Sequence, residues 1–89
     1  MENDTTSNIP VQVMLFSVLR ERTGERVLSV TIPNSETVEA FVDRLAMAYQ
    51  PIADLKSVVR VAVNKRYATA NDMVSPGDEI ALITPVSGG

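Results

Sequence analysis

Cysteine, histidine and tryptophan are all missing from these 89 residues. Without cysteine there is no disulfide framework and no thiol nucleophile. Without histidine the commonest general base and the commonest metal ligand are gone. A histidine-containing catalytic triad or a histidine-ligated zinc site is therefore excluded, and no metal site is expected. Aromatic side chains are limited to Phe16, Phe41, Tyr49 and Tyr67, so a core must be built from Val, Leu, Ile and Ala. No apolar run approaches the roughly 20 residues of a membrane-spanning helix. The opening MENDTTSNIP is polar and lacks the apolar segment of a signal peptide. A cytoplasmic protein with no membrane partner is the expectation. Positive charge is also short: eight Lys and Arg face eleven Asp and Glu, for a net charge of −3. A phosphate backbone selects a basic face, so nucleic acid is not an expected partner.

What is present suffices for one small domain. Apolar residues make up 45% of the chain, enough for a single core at this length. Residues 1–8 are expected to be a disordered extension, 9–84 the domain, and 85–89 a flexible tail.

Ile9, Val11, Val13 and Leu15 alternate with Pro10, Gln12, Met14 and Phe16, which predicts a strand with the odd positions inward. Met14 and Phe16 then stand on the opposite face. Leu19 is expected to close over the core ahead of a turn at Thr23-Gly24. Arg26 to Ile32 predicts a second strand with Leu28, Val30 and Ile32 inward, joined to the first as an antiparallel hairpin and ended by Pro33. Thr37 is a candidate N-cap, with Glu39 in the first turn. Val38, Phe41, Val42, Leu45, Ala48 and Tyr49 recur at helical spacing, and Pro51 is expected to stop that helix. Residues 51–57 form a loop or a single turn. Val58 to Val63 predicts a third strand, with Val59, Val61 and Val63 inward. Asn64 to Tyr67 reads as a turn and a short strand, with Lys65-Arg66 a solvated turn. Ser75-Pro76-Gly77-Asp78 has the form of a type II turn. Glu79 to Ile83 is the last strand, with Ile80 and Leu82 inward and Ala81 and Ile83 outward. Pro85 bars further pairing.

This order predicts an α+β roll: a mixed sheet with one main helix on one face. The first and last strands are best placed as parallel neighbours at its centre. Phe16, Met14, Ile83 and Tyr67 then share an uncovered apolar face, the expected partner-binding surface. Past it the sequence ends in Pro85-Val86-Ser87-Gly88-Gly89. Two glycines make a slim backbone that can thread into a narrow site and offer a terminal carboxylate. A disordered end accounts for the same residues.

Five stretches in this order carry a resemblance: VMLFSVLRERTG from Val13, TVEAFVDRLA from Thr37, VAVN from Val61, PGDEIA from Pro76, and the ending PVSGG. The chain resembles the ubiquitin-like β-grasp sulfur carriers, most closely the molybdopterin synthase small-subunit family. The family often has two prolines before the Val, whereas here Thr84 precedes Pro85. The resemblance implies that a ubiquitin-activating-like adenylyltransferase uses ATP to adenylate the Gly89 carboxylate. A sulfur-donor protein then supplies a persulfide sulfur to give a C-terminal thiocarboxylate. Pro85, Val86, Ser87 and Gly88 would thread into a large subunit, in a heterotetramer of two small and two large chains. There the sulfur passes to cyclic pyranopterin monophosphate, forming the molybdopterin dithiolene. It also places a docking patch at Phe16, Tyr67 and Ile83. The chain itself would bind no cofactor and act as a non-catalytic sulfur-donor subunit, with the catalytic residues on its partner. Carriers for thiamine, cysteine or tRNA thiolation, a ubiquitin-like protein modifier, and a plain interaction module remain alternatives.

Overall fold

Alternation along the first and last strands builds the centre of the sheet. The computed structural model describes residues 9–32 and 34–84; expectations for residues 1–8, Pro33 and 85–89 lie outside them. Strand β1, Pro10–Leu15, buries Val11, Val13 and Leu15. Strand β7, Glu79–Ile83, buries Ile80 and Leu82. The two run parallel, Val13 opposite Ile80 and Leu15 opposite Leu82, so their inward sets form one apolar surface.

The rest of the sheet adds to this pair. β2, Val27–Thr31, lies antiparallel to β1. β4, Arg60–Val63, lies antiparallel to β7, and the short β5, Arg66–Tyr67, closes the other edge. The order is β2-β1-β7-β4-β5. One face is gripped around helix α2, Val38–Ala48, which buries Val38, Phe41, Val42 and Leu45. This is the expected α+β arrangement, with the parallel pair at its centre.

Helix α2 begins where its free N–H groups find partners. Thr37 is the N-cap and its Oγ1 accepts from Ala40 N at 3.1 Å. Val38 N and Glu39 N donate to the carbonyls of Asp72 and Ala70 at 2.8 and 3.1 Å. Three of the helix's four orphan donors are thus satisfied. A two-stranded ribbon fixes that loop: β3, Glu36–Thr37, pairs with β6, Met73–Val74. Val74 is fully buried.

Several expectations require correction. The β1–β2 connection is not a tight turn but holds helix α1, Ser17–Thr23, which carries Leu19 into the core. Thr23 Oγ1 donates back to Leu19 O, and Gly24 closes the helix at φ 77°. Ile9 precedes β1 and is 55% exposed rather than inward. Ala48 is exposed, beyond the last turn that reaches the sheet. Pro51 does not stop α2; Tyr49 already adopts an extended conformation, and Pro51 sits in the first turn of α3, Gln50–Leu55. A proline is tolerated there because no intrahelical N–H is lost. Strand β4 starts at Arg60, not Val58, because the N–H groups of Val58 and Val59 both donate to Leu55 O. Of its inward set, Val61 is buried, while Val59 and Val63 are half-buried against the core.

Candidate partner-binding face and tail root

The outer face of the sheet is organised in rows across the strands. Val27 lies opposite Met14, Met14 opposite Ala81, Ala81 opposite Ala62, and Ala62 opposite Tyr67. One apolar row therefore crosses all five strands, roughly 19 Å at a strand spacing of about 4.8 Å. Tyr67 and Val27 are exposed at its two ends, Met14 and Ala81 are half-buried, and Ala62 is buried. Directly opposed side chains stand close enough to form a continuous surface.

The neighbouring rows differ on the two sides. Toward the start of β7, Ser29, Gln12 and Glu79 form a polar row, with Gln12 Nε2 donating to Ser29 Oγ at 3.0 Å. Toward the end of β7, Ile83 faces Arg60. Phe16 follows Leu15 with extended backbone, φ −125° and ψ 156°, so it continues the outward set and is 40% exposed. Ser17 then turns the chain into α1 at φ 53°. The face is thus polar at the start of β7 and carries Phe16 and Ile83, with Arg60 beside them, at its end.

The structure brings together the four predicted face residues. Met14 and Tyr67 lie in the apolar row, and Phe16 and Ile83 lie at its tail side. Met14 and Ile83 are half-buried rather than fully open. Val27 and Ala62 belong to the same face and were not singled out from the sequence. Alternation alone puts both outward; only the register joins them to Met14 and Tyr67. The tail residues Pro85, Val86, Ser87, Gly88 and Gly89 lie outside the described residues. Thr84, at their root, is buried, and its Oγ1 has no hydrogen-bond partner among the described residues.

Other polar groups are engaged in holding the frame. Asp78 accepts from Asn64 Nδ2 at 3.1 Å and from Ser75 N at 2.8 Å, while Asn64 Oδ1 accepts from Glu79 N at 3.0 Å. This clasp ties the β4–β5 turn to the turn before β7. That turn is Asn64-Lys65, at φ 51° and 73°, and not Lys65-Arg66, because Arg66 already pairs with Val63 in β5. Arg22 pairs with Asp54 at 2.8 Å. Hydrogen bonds from Gln50 and then Arg22 hold the Asp54 carboxyl below its usual range. Among the described residues no group of three or more acidic side chains could hold a metal ion. No described helix is long and apolar enough to cross a membrane.

A five-stranded mixed sheet gripping one main helix, with its other face apolar, defines the β-grasp class of scaffold. Residues 13–89 match the ThiS family, and the chain belongs to it. It is 35% identical over 89 residues to the molybdopterin synthase sulfur carrier subunit of Arabidopsis thaliana, spanning all of this chain and 93% of that one. The crystal structure of SAMP1 from Haloferax volcanii superposes with a TM-score of 0.74 at 30% identity, covering 90% of this chain and 99% of that chain. Subunit 1 or 2 in the molybdopterin-converting factor complex of Helicobacter pylori has the same fold, with a TM-score of 0.64 at 20% identity over 90% of this chain and 99% of that chain. The fold is the ubiquitin-like β-grasp.

Proposed function

We propose that this chain is the sulfur-carrier small subunit of a molybdopterin synthase. The observation that carries the proposal is the joint placement of two features. The apolar row Val27–Met14–Ala81–Ala62–Tyr67, continued by Phe16 and Ile83, lies beside the end of β7 from which the Gly-Gly segment departs. The name carried by the plant relative supports the choice of pathway.

The chemistry follows from what a carboxylate can and cannot do. It is a poor electrophile and a weak sulfur source. Attack of the Gly89 carboxylate oxygen on the α-phosphorus of ATP releases pyrophosphate and leaves an acyl adenylate. A donor persulfide then attacks the acyl carbon and AMP departs. A second thiol cleaves the resulting acyl disulfide, leaving the thiocarboxylate. Every nucleophile except the starting carboxylate comes from a partner, which suits a chain with neither cysteine nor histidine. The large subunit docks on the apolar row, receives Pro85 to Gly89, and supplies the catalytic residues. Two such deliveries to cyclic pyranopterin monophosphate complete the dithiolene, in an assembly of two small and two large chains in the cytoplasm. The chain holds no cofactor of its own.

Deletion of Gly89, or Gly88→Leu, is expected to abolish sulfur delivery in a reconstituted synthase, with amide dispersion of the domain retained. Full delivery by either variant would overturn the proposal. A second reading, a protein modifier joined to lysine through Gly89, is favoured by the likeness to the archaeal modifier protein. Conjugates stable on a denaturing gel would support it.

A further inference from the structure

The two edges of the five-stranded sheet are built differently. β5 is two residues long and carries Arg66, which leaves little edge to pair with. β2 is five residues, Val27-Leu28-Ser29-Val30-Thr31, with no charge, no proline and an unbroken register against β1. Short strands, charges, prolines and bulges are the usual guards of a sheet edge, and β2 has none of them. Among the described residues no strand pairs with its other side.

The direction of its free groups follows from one bond. Leu15 N donates to Arg26 O at 2.8 Å, so Arg26 faces β1. Bonding alternates along an antiparallel pair, so Leu28 and Val30 also bond to β1, opposite Val13 and Val11. The N–H and C=O groups of Val27, Ser29 and Thr31 therefore point away from the sheet. The side chains of the same three residues are exposed, Val27 at 46%.

We propose that β2 is a self-association edge, and that its occupant is the β2 of a second copy, antiparallel about a two-fold axis at Ser29. In that register Val27 meets the partner's Thr31, Ser29 meets the partner's Ser29, and Thr31 meets the partner's Val27. All of these are outward-pointing residues, so each pair exchanges both of its hydrogen bonds. Other registers lose pairs. An axis at Val30 carries Val27 past the end of the partner's strand. An axis at Leu28 sets Thr31 opposite the partner's Glu25, whose N–H is taken by Thr23 Oγ1. A one-residue slip sets outward groups against groups already bonded to β1. The paired stretch carries no charge to repel its copy, and half-buried Val30 gains cover from the partner's Leu28 on the helix side. Opposed side chains share a face, so both outer faces lie on the same side of the joined sheet. Met14, Ala81, Ala62 and Tyr67 stay uncovered, and the inference stands independently of the carrier reading. One strand edge buries less than the roughly 1,200 Å² of a standard interface. The pair is therefore weak, with half the chains paired at about 1 mM.

Amide hydrogen exchange on the full chain reads the edge residue by residue. Between about 0.05 and about 1 mM, exchange at Val27, Ser29 and Thr31 should slow about twofold. Leu28 and Val30, already bonded to β1, should change less. Ser29→Lys and Ser29→Asp each set like charges against one another across the axis. Each should remove the slowing while amide dispersion is retained, and mixing the two in equal amounts should restore it. Exchange that does not vary with concentration would overturn the proposal, whether fast, for an edge left open, or slow, for an edge covered within the chain. Slowing confined to Met14 and Tyr67 would place self-association on the outer face and overturn it too. Slowing at the edge that survives in both variants, or that mixing fails to restore, would contradict the two-fold pairing at Ser29. None of these readings depends on sulfur loading.

Discussion

Gly77 and Lys65 both hold backbone conformations with positive φ, +91° and +73°, and the sequence meets the two needs differently. Gly77 is suited to its place in the turn before β7. A Cβ there would meet Ile9 Cγ2 at 3.4 Å and would be strained at that φ in any case. Gly77→Ala is expected to cost about 1–2 kcal/mol in urea unfolding. Lys65 takes the second central position of a tight hairpin, where glycine is preferred. Lys65→Gly is therefore expected to stabilise by about 1 kcal/mol, through relief of the left-handed penalty. On the outer face, Phe16→Arg or Ile83→Arg places a charge in the apolar surface. Each is expected to weaken large-subunit binding at least tenfold, about 1.4 kcal/mol, measured by titration calorimetry. Unchanged affinity in both would remove this face from the interface.

Helix α2 depends on its start as much as on its buried stripe. Thr37→Ala removes the bond to Ala40 N and is expected to cost about 1 kcal/mol. Phe41 is fully buried, and Phe41→Ala is expected to cost about 3–5 kcal/mol. Chemical denaturation checks both. These features were legible in the sequence because they are local: a capping residue, helical spacing, and period-two alternation in β1, β2 and β7. The parallel β1–β7 placement was also reached, from the order of elements. Helix α1 was not, because it is two turns long and buries only Leu19; one inward residue makes no periodic signal. The β3–β6 ribbon is two residues per strand and exists to hold the loop carbonyls over the start of α2. Such a purpose has no local pattern. On the candidate face, Met14, Phe16, Tyr67 and Ile83 followed from alternation. Val27 and Ala62 joined them only through register, which pairs residues distant in sequence.

At the scale of the whole molecule, the frame is tied by surface ion pairs as well as by its core. Arg22 and Asp54 link α1 to α3. The Asp54 carboxyl is depressed below its ordinary value of 3.8 by Gln50 and then Arg22. A carboxyl with a lower pKa when folded contributes stability above the unfolded value, and that contribution fades as pH falls through the folded one. Asp54→Asn should therefore melt below the parent at pH 7, and the gap should close in acid. A gap that persists in strong acid would mean the carboxylate's charge is not its source. On the molecule as a whole, the apolar row crosses the outer face of the sheet, and Phe16, Ile83 and Thr84 lie toward the end of β7. The proposed sulfur-carrier reading assigns the reaction to the Gly89 carboxylate. Intact mass, followed by fragmentation, after incubation with an activating enzyme, ATP and a persulfide donor tests this most directly. The account predicts replacement of one oxygen by sulfur, located at Gly89; an unchanged mass, or sulfur located elsewhere in the chain, would contradict it.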